Sequence, residues 1–139
     1  MDMSESHLKN IIRSRKLRST PNRITILRLL MQTKTPLSAE EVQKRIKGDL
    51  VTVYRNLHTF VSIGFVRELR FQDAVARYEY VHGSHHHHAV CTGCGIVSEL
   101  DTCDTSHLDA HALRHAKNFV SITNHSLEFF GMCSKCAQA

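Results

Sequence analysis

The sequence predicts an α+β chain in two parts, on three observations. Up to Ile63, apolar residues recur at helical spacing in short runs separated by turn and cap signals. From Phe65 to Val81 the period switches to alternation, the mark of paired strands. Beyond His82 the texture changes again: the stretch His85–Cys94, HHHHAVCTGC, holds four imidazoles and two thiols in ten residues, and Cys133 and Cys136 follow near the end of the chain.

Each element follows from local chemistry. Ser4 to Arg15 carries Leu8, Ile11 and Ile12 on one side and Lys and Arg on the other, a short amphipathic helix. After a basic connector, Lys16-Leu17-Arg18-Ser19, Thr20-Pro21 supplies a hydroxyl N-cap and a proline at the first helical position. Ile24, Leu27, Leu30 and Met31 give this second helix its apolar face. Pro36-Leu37-Ser38 opens a third, with Ser38 and Glu41 in capping-box spacing and Val42 and Ile46 turned inward. Gly48-Asp49 breaks the chain before a fourth helix, Leu50 to Ile63, which buries Val53, Leu57, Phe60 and Val61 and stops at Gly64. Phe65–Phe71 and Ala76–Val81 then form a hairpin around Gln72-Asp73. Tandem helices followed by a hairpin make a winged helix-turn-helix domain over residues 1–81. His82-Gly83-Ser84 reads as a hinge (82–84). In the second domain (85–139) we expect a strand into Cys91, a strand Ile96–Leu100, a helix near Asp104–Lys117, and strands Phe119–Thr123 and Ser126–Phe130.

Composition narrows the chemistry. A net charge of +5 and a pI near 9.1 are compatible with a nucleic-acid partner. The start, MDMSESHLKN, is polar and unlike a signal peptide, and no apolar run reaches the length of a membrane span. The expected location is therefore the cytoplasm, where thiols stay reduced and repeated C-x-x-C pairs point to metal rather than disulfides.

Cys91 and Cys94, then Cys133 and Cys136, form such a pair of knuckles. Four thiolates close a tetrahedral Zn2+ site with no open position, so the site is expected to be structural. Cys103, the cysteine left over, reads as a small apolar residue at a strand–helix junction. On a strand, His86 and His88 share one face and His85 and His87 the other, so one stretch can feed two separate sites. Glu79 and Glu99 are candidate partners on the first side. Asp109 and His125 are candidates on the second.

The motifs Thr20-Pro21-Asn22-Arg23, Leu37-Ser38-Ala39-Glu40-Glu41, Thr52-Val53-Tyr54-Arg55-Asn56-Leu57, His85–Cys94, and Asn124-His125-Ser126-Leu127 leading into Gly131-x-Cys133-x-x-Cys136 stand in this order along the chain. In this they resemble the ferric uptake regulator (Fur) family of metal-responsive bacterial transcriptional repressors, over essentially the whole length. The resemblance implies a small C-terminal α/β dimerisation domain and a homodimer on palindromic, double-stranded operator DNA. It implies Tyr54 and Arg55 as major-groove residues beside Thr52, and Arg18 and Arg23 as backbone or minor-groove contacts. It further implies a sensory site of Glu79, His86 and His88, with Glu99 as a second carboxylate, and a third site of His85, His87, Asp109 and His125.

One departure stands out. Many iron- and peroxide-sensing members place a histidine just before the L-S-A-E-E segment, where this chain has Pro36. Glu79 alone, Glu68 from the wing, or His82 would then have to couple the first domain to metal. Glu79 also stands where peroxide sensors have Asp, which counts against that branch. The regulatory ion is expected to be Fe2+ or Zn2+, with Mn2+ behind. Two readings from other classes are a zinc-dependent hydrolase and a metal storage or chaperone protein. The first lacks an H-E-x-x-H helix, and the second leaves the helix-turn-helix half without a role.

Overall fold

The computed structural model describes residues 3–83, 85–101 and 104–138. Cys103, and Ser84 of the expected hinge, lie outside them. The chain divides into two compact units, Met1–His82 and Gly83–Ala139.

The first unit runs α1 (Glu5–Ser14), α2 (Pro21–Gln32), β1 (Leu37–Ser38), α3 (Ala39–Ile46), α4 (Leu50–Ser62), β2 (Val66–Arg70) and β3 (Ala76–Tyr80). Side-chain caps start each helix. Ser4, Thr20, Ser38 and Asp49 accept from backbone N–H groups three residues on, and Ser38 and Glu41 form the full reciprocal box. Lys47 takes a left-handed conformation (φ 54°) to end α3 and turn the chain into α4. Gly64, at φ 78°, ends the next helix in a conformation that costs a residue without a Cβ little.

The strands form one sheet in the order β1-β3-β2, with Arg67 opposite Glu79 and Glu68 opposite Tyr78. β1 was not expected. Leu37 and Ser38 pair with Tyr78 and Arg77 before the chain enters α3, so the segment read as a helix opening is first a strand. Leu8, Ile12, Ile26, Leu27, Leu30, Val42, Val53, Leu57, Phe60 and Tyr78 are fully buried and fasten helices and sheet into one core. Ile26 adds a second buried side to α2 that its one-face pattern did not show.

The second unit runs β4 (His87–Cys91), β5 (Val97–Leu100), α5 (Ser106–His115), β6 (Glu128–Gly131) and α6 (Ser134–Ala137), with sheet order β5-β4-β6. β4 pairs antiparallel with β5 and parallel with β6. The expected strand Phe119–Thr123 does not form; these residues have no regular structure. Its alternation is real, but a strand needs a neighbour to complete its hydrogen bonds, and Val120 stands 96% exposed.

The two units differ in what they bury. Among the described residues of the second, only Cys91, His86, His87, His88 and Thr105 are buried, and no aliphatic, Phe or Tyr residue is among them. Ile96, Leu108, Leu113, Phe119, Val120, Phe129, Phe130 and Met132 are all exposed. A unit of this size without an apolar core needs metal ligation or a partner surface to stay folded.

Candidate metal centres and nucleic-acid interface

The cysteine cluster is assembled by sheet pairing. Cys91 ends β4 opposite Gly131 on β6, and Thr92 N–H donates to the Gly131 carbonyl at 2.8 Å. That register brings the loop after β6 against the knuckle after β4. Gly95, at φ 75°, closes the knuckle by donating to the Cys91 carbonyl at 2.9 Å. All four sulfurs lie within 4.8 Å of one another, and Cys94 and Cys133 are 3.8 Å apart. Sulfurs placed tetrahedrally around zinc at about 2.3 Å stand about 3.8 Å from each other. The donor set therefore fits the ion.

Its electrostatics agree. The Cys133 N–H, 3.3 Å from the Cys91 sulfur, leads the backbone donors that lower the Cys91 thiol to about 6. The Cys136 thiol is pushed up to about 12, because the sulfurs of Cys133, Cys94 and Cys91 share its proton. Four thiolates cannot coexist at this spacing without a cation. Gly93 completes the cradle: a Cβ there would meet the Cys136 sulfur at 3.0 Å and its Cβ at 3.2 Å.

The histidine run divides as strand alternation requires. His85 Nε2 is 3.1 Å and His87 Nε2 3.2 Å from His125 Nε2, so three imidazole nitrogens converge on one point. Backing contacts at the other ring nitrogens set the tautomers. His87 Nδ1 donates to the Leu127 carbonyl at 3.0 Å, and His125 Nδ1 faces Asp109 Oδ1 at 3.1 Å. Both arrangements leave Nε2 lone pairs pointing inward, which suits metal ligation. Asp109, expected as a ligand, thus sits behind His125 rather than among the converging nitrogens. Thr105 Oγ1 is 3.1 Å from His125 Nε2, a buried hydroxyl that sequence reasoning missed because nothing local marks it.

On the opposite face, the His86 and His88 rings meet edge to face at 5.1 Å. Glu99, cross-strand from His88, reaches 4.0 Å from His86 Nδ1. Two buried imidazoles and a carboxylate there form a mixed N/O donor set that suits zinc, iron and manganese alike.

In the first unit Glu79 is buried, and its carboxylate receives the Arg67 guanidinium. Glu68 lies one residue along β2 from Arg67, so it projects from the other face of the hairpin, where it pairs with Arg70 at 2.8 Å. Glu68 and Glu79, offered by the sequence as alternatives, therefore lie on opposite faces of the hairpin. Pro36 is buried ahead of β1 and offers no donor. His82 packs edge to face on Tyr80 at 5.0 Å.

The helix-turn-helix surface carries the remaining expected residues. Arg55 and Arg18 are exposed. Tyr54 donates its hydroxyl to Glu40 at 2.9 Å, which raises the phenol pKa. Thr52 spends its hydroxyl on Asp49 at 2.9 Å, as part of the α4 cap, rather than presenting it outward. Arg23 is held by two contacts: Nε donates to Asn56 Oδ1 at 3.1 Å, and Nη1 to the Arg18 carbonyl at 2.9 Å. Asn56 is buried and in turn donates to the Thr52 carbonyl at 3.0 Å. Charge is concentrated in this unit. Met1–His82 holds fifteen of the chain's eighteen Lys and Arg and eight of its thirteen Asp and Glu, a net +7, while Gly83–Ala139 holds three against five.

A basic winged helix joined to a unit built on thiolate and imidazole clusters defines a metal-responsive DNA-binding regulator. The ferric uptake regulator family matches residues 14–130, and the chain belongs to it. It is a metal-dependent transcriptional regulator of that family, not an enzyme. The chain is 30% identical over 130 residues to the peroxide-responsive repressor PerR of Staphylococcus aureus, covering 90% of this chain and 86% of that one. Among solved structures it resembles the ferric uptake regulator of Vibrio cholerae (31% identity, 90% and 98% coverage, TM-score 0.75). It also resembles a zinc-bound manganese uptake regulator (28% identity, 91% and 98% coverage, TM-score 0.75). Among the described residues, no helix is long and apolar enough to cross a membrane.

Proposed function

We propose that the chain acts in the cytoplasm as a homodimer that occupies double-stranded operator DNA when metal-loaded and so represses genes of metal-ion homeostasis. The observation that carries this reading is the division of the histidine run. His86, His88 and Glu99 gather on one face of a sheet, while His85, His87 and His125 gather on the other, beside a closed cysteine cluster. Three donor sets of different chemistry suit one structural ion and two exchangeable ones.

Cys91, Cys94, Cys133 and Cys136 hold structural Zn2+ and keep the start and end of the second domain together. His86 and His88, with Glu99, hold the regulatory Fe2+ or Zn2+, and the family resemblance adds Glu79 from the wing. His85, His87 and His125 hold a third ion, with Asp109 orienting His125. When bound, the regulatory ion supplies the charge that lets Glu79 and the imidazoles act as one set. Ligands drawn from both sides of His82-Gly83-Ser84 would fix the winged helices at operator half-site spacing, so metal and DNA affinities rise together. Arg55 and Tyr54 on α4 would then face base edges, with Arg18 and Arg23 positioned by phosphates. The exposed apolar residues of the second unit support the homodimer: Phe119, Val120, Phe129 and Phe130 are apolar side chains that a second copy could bury.

The test is operator binding on upstream genomic fragments with Fe2+, Zn2+ or Mn2+ against a chelated control. Tighter binding with one of these ions is the expected result; equal affinity in every condition contradicts the switch. A second reading, peroxide sensing, is favoured by the similarity to the peroxide-responsive repressor of Staphylococcus aureus. If it holds, peroxide treatment of the iron-loaded protein releases the operator while the zinc-loaded protein stays bound.

A further inference from the structure

Helix α5 carries His107, His111 and His115 at four-residue intervals. None of the converging donor groups described above takes a ligand from these positions. Residues four apart on a helix stack on adjacent turns, with Cβ atoms about 5–6 Å apart. The His111 and His115 rings have closed to 4.4 Å between centroids, tilted by 42°, and both are exposed. Two imidazoles so placed can each bring one nitrogen to the same ion at about 2.0–2.1 Å. We propose that His111 and His115 form a fourth, surface metal site for a borderline divalent cation of the nickel, copper and zinc group.

The site differs in kind from the enclosed clusters. It offers two protein ligands, so water fills the remaining positions and the ion exchanges readily. Its ligands are neutral imidazoles alone, which select for nitrogen-loving ions and against magnesium and calcium. Occupancy pins the last two turns of α5, a helix with no buried residue and no side-chain N-cap. The site therefore fills only after the enclosed clusters, when metal is in excess. This inference does not depend on the operator-binding reading.

The experiment uses the full chain loaded with zinc and titrated with Ni2+, followed by calorimetry and by imidazole proton NMR. On the unsubstituted protein, paramagnetic broadening should begin at His111 and His115, with one weakly held Ni2+ per chain. His111→Ala and His115→Ala keep a good helix former at each position, and each should weaken this binding about a hundredfold, because either alone destroys the chelate. His107→Ala should leave it unchanged. Broadening spread evenly over the exposed histidines, or a Ni2+ affinity unaltered by His111→Ala or His115→Ala, overturns the proposal. So does a loss on His107→Ala that matches the loss on His115→Ala.

Discussion

Asn56 shows how a residue with no expected part in recognition can control one that has. It is buried, anchored to the backbone of its own helix, and accepts from Arg23 Nε. Asn56→Ala should leave the Arg23 Nε without that partner and the side chain held only through Nη1 on the Arg18 carbonyl. The expected cost is about 1–2 kcal/mol of operator binding, a five- to thirtyfold loss, read by fluorescence anisotropy with the helical content unchanged. An unchanged affinity would mean that Arg23 does not need this clamp. Gly93 plays a similar supporting part at the cysteine cluster. Gly93→Ala puts a methyl 3.0 Å from the Cys136 sulfur, so zinc should leave to a competing chelator at least about tenfold faster than from the unsubstituted protein. The sequence marks Gly93 only as the residue between two cysteines; its close approach to Cys136 comes from a strand pairing forty residues away.

At the scale of elements, local signals carry far. The cap at Thr20, the break at Gly48-Asp49, the Gly64 stop and the switch to alternation at Phe65 place α2, α4 and the hairpin within a residue or two. What local signals cannot carry is pairing. β1 exists because Leu37 meets Tyr78, and Phe119–Thr123 forms no strand because, among the described residues, no strand pairs with it. The same limit applied to Glu68 and Glu79: their opposite faces follow from strand parity only once the hairpin register is known. The alternation of the histidines was legible because a strand's period needs no partner to define it. The Asp73–Arg77 pair beside the hairpin turn gives an element-level prediction. Arg77 holds the Asp73 carboxyl at about 2, below its ordinary 3.8. A lowered folded-state pKa means that the stabilisation is complete above the ordinary value and is lost as pH falls from there toward 2. Carboxyl NMR should place the Asp73 midpoint near 2, and Asp73→Asn should remove that part of the acid dependence. A midpoint near 3.8 would mean that the pair does not persist in solution.

At the scale of the whole molecule, the contrast between the units is the main physical fact. The first has a continuous apolar core, and the described residues of the second bury imidazoles and a thiol in place of one. Metal should therefore act on folding in the second and on DNA affinity in the first. Cys94→Ser is expected to lose zinc and unfold or monomerise the second unit, measured by sedimentation and residue-resolved amide exchange, while the helices of the first keep their protection. His86→Ala should leave a folded dimer that retains its cysteine-bound zinc but no longer responds to added metal. A folded, dimeric Cys94→Ser protein would argue against the structural assignment.

The most direct test compares operator affinity of the unsubstituted protein and a His86→Ala/His88→Ala variant, each with cysteine-bound zinc retained, before and after loosely held metal is removed. Metal removal should weaken the unsubstituted protein by about five- to 150-fold, the usual range of allosteric coupling, while the variant stays weak in both states. Equal affinities for the two proteins, unmoved by metal removal, would contradict the metal switch.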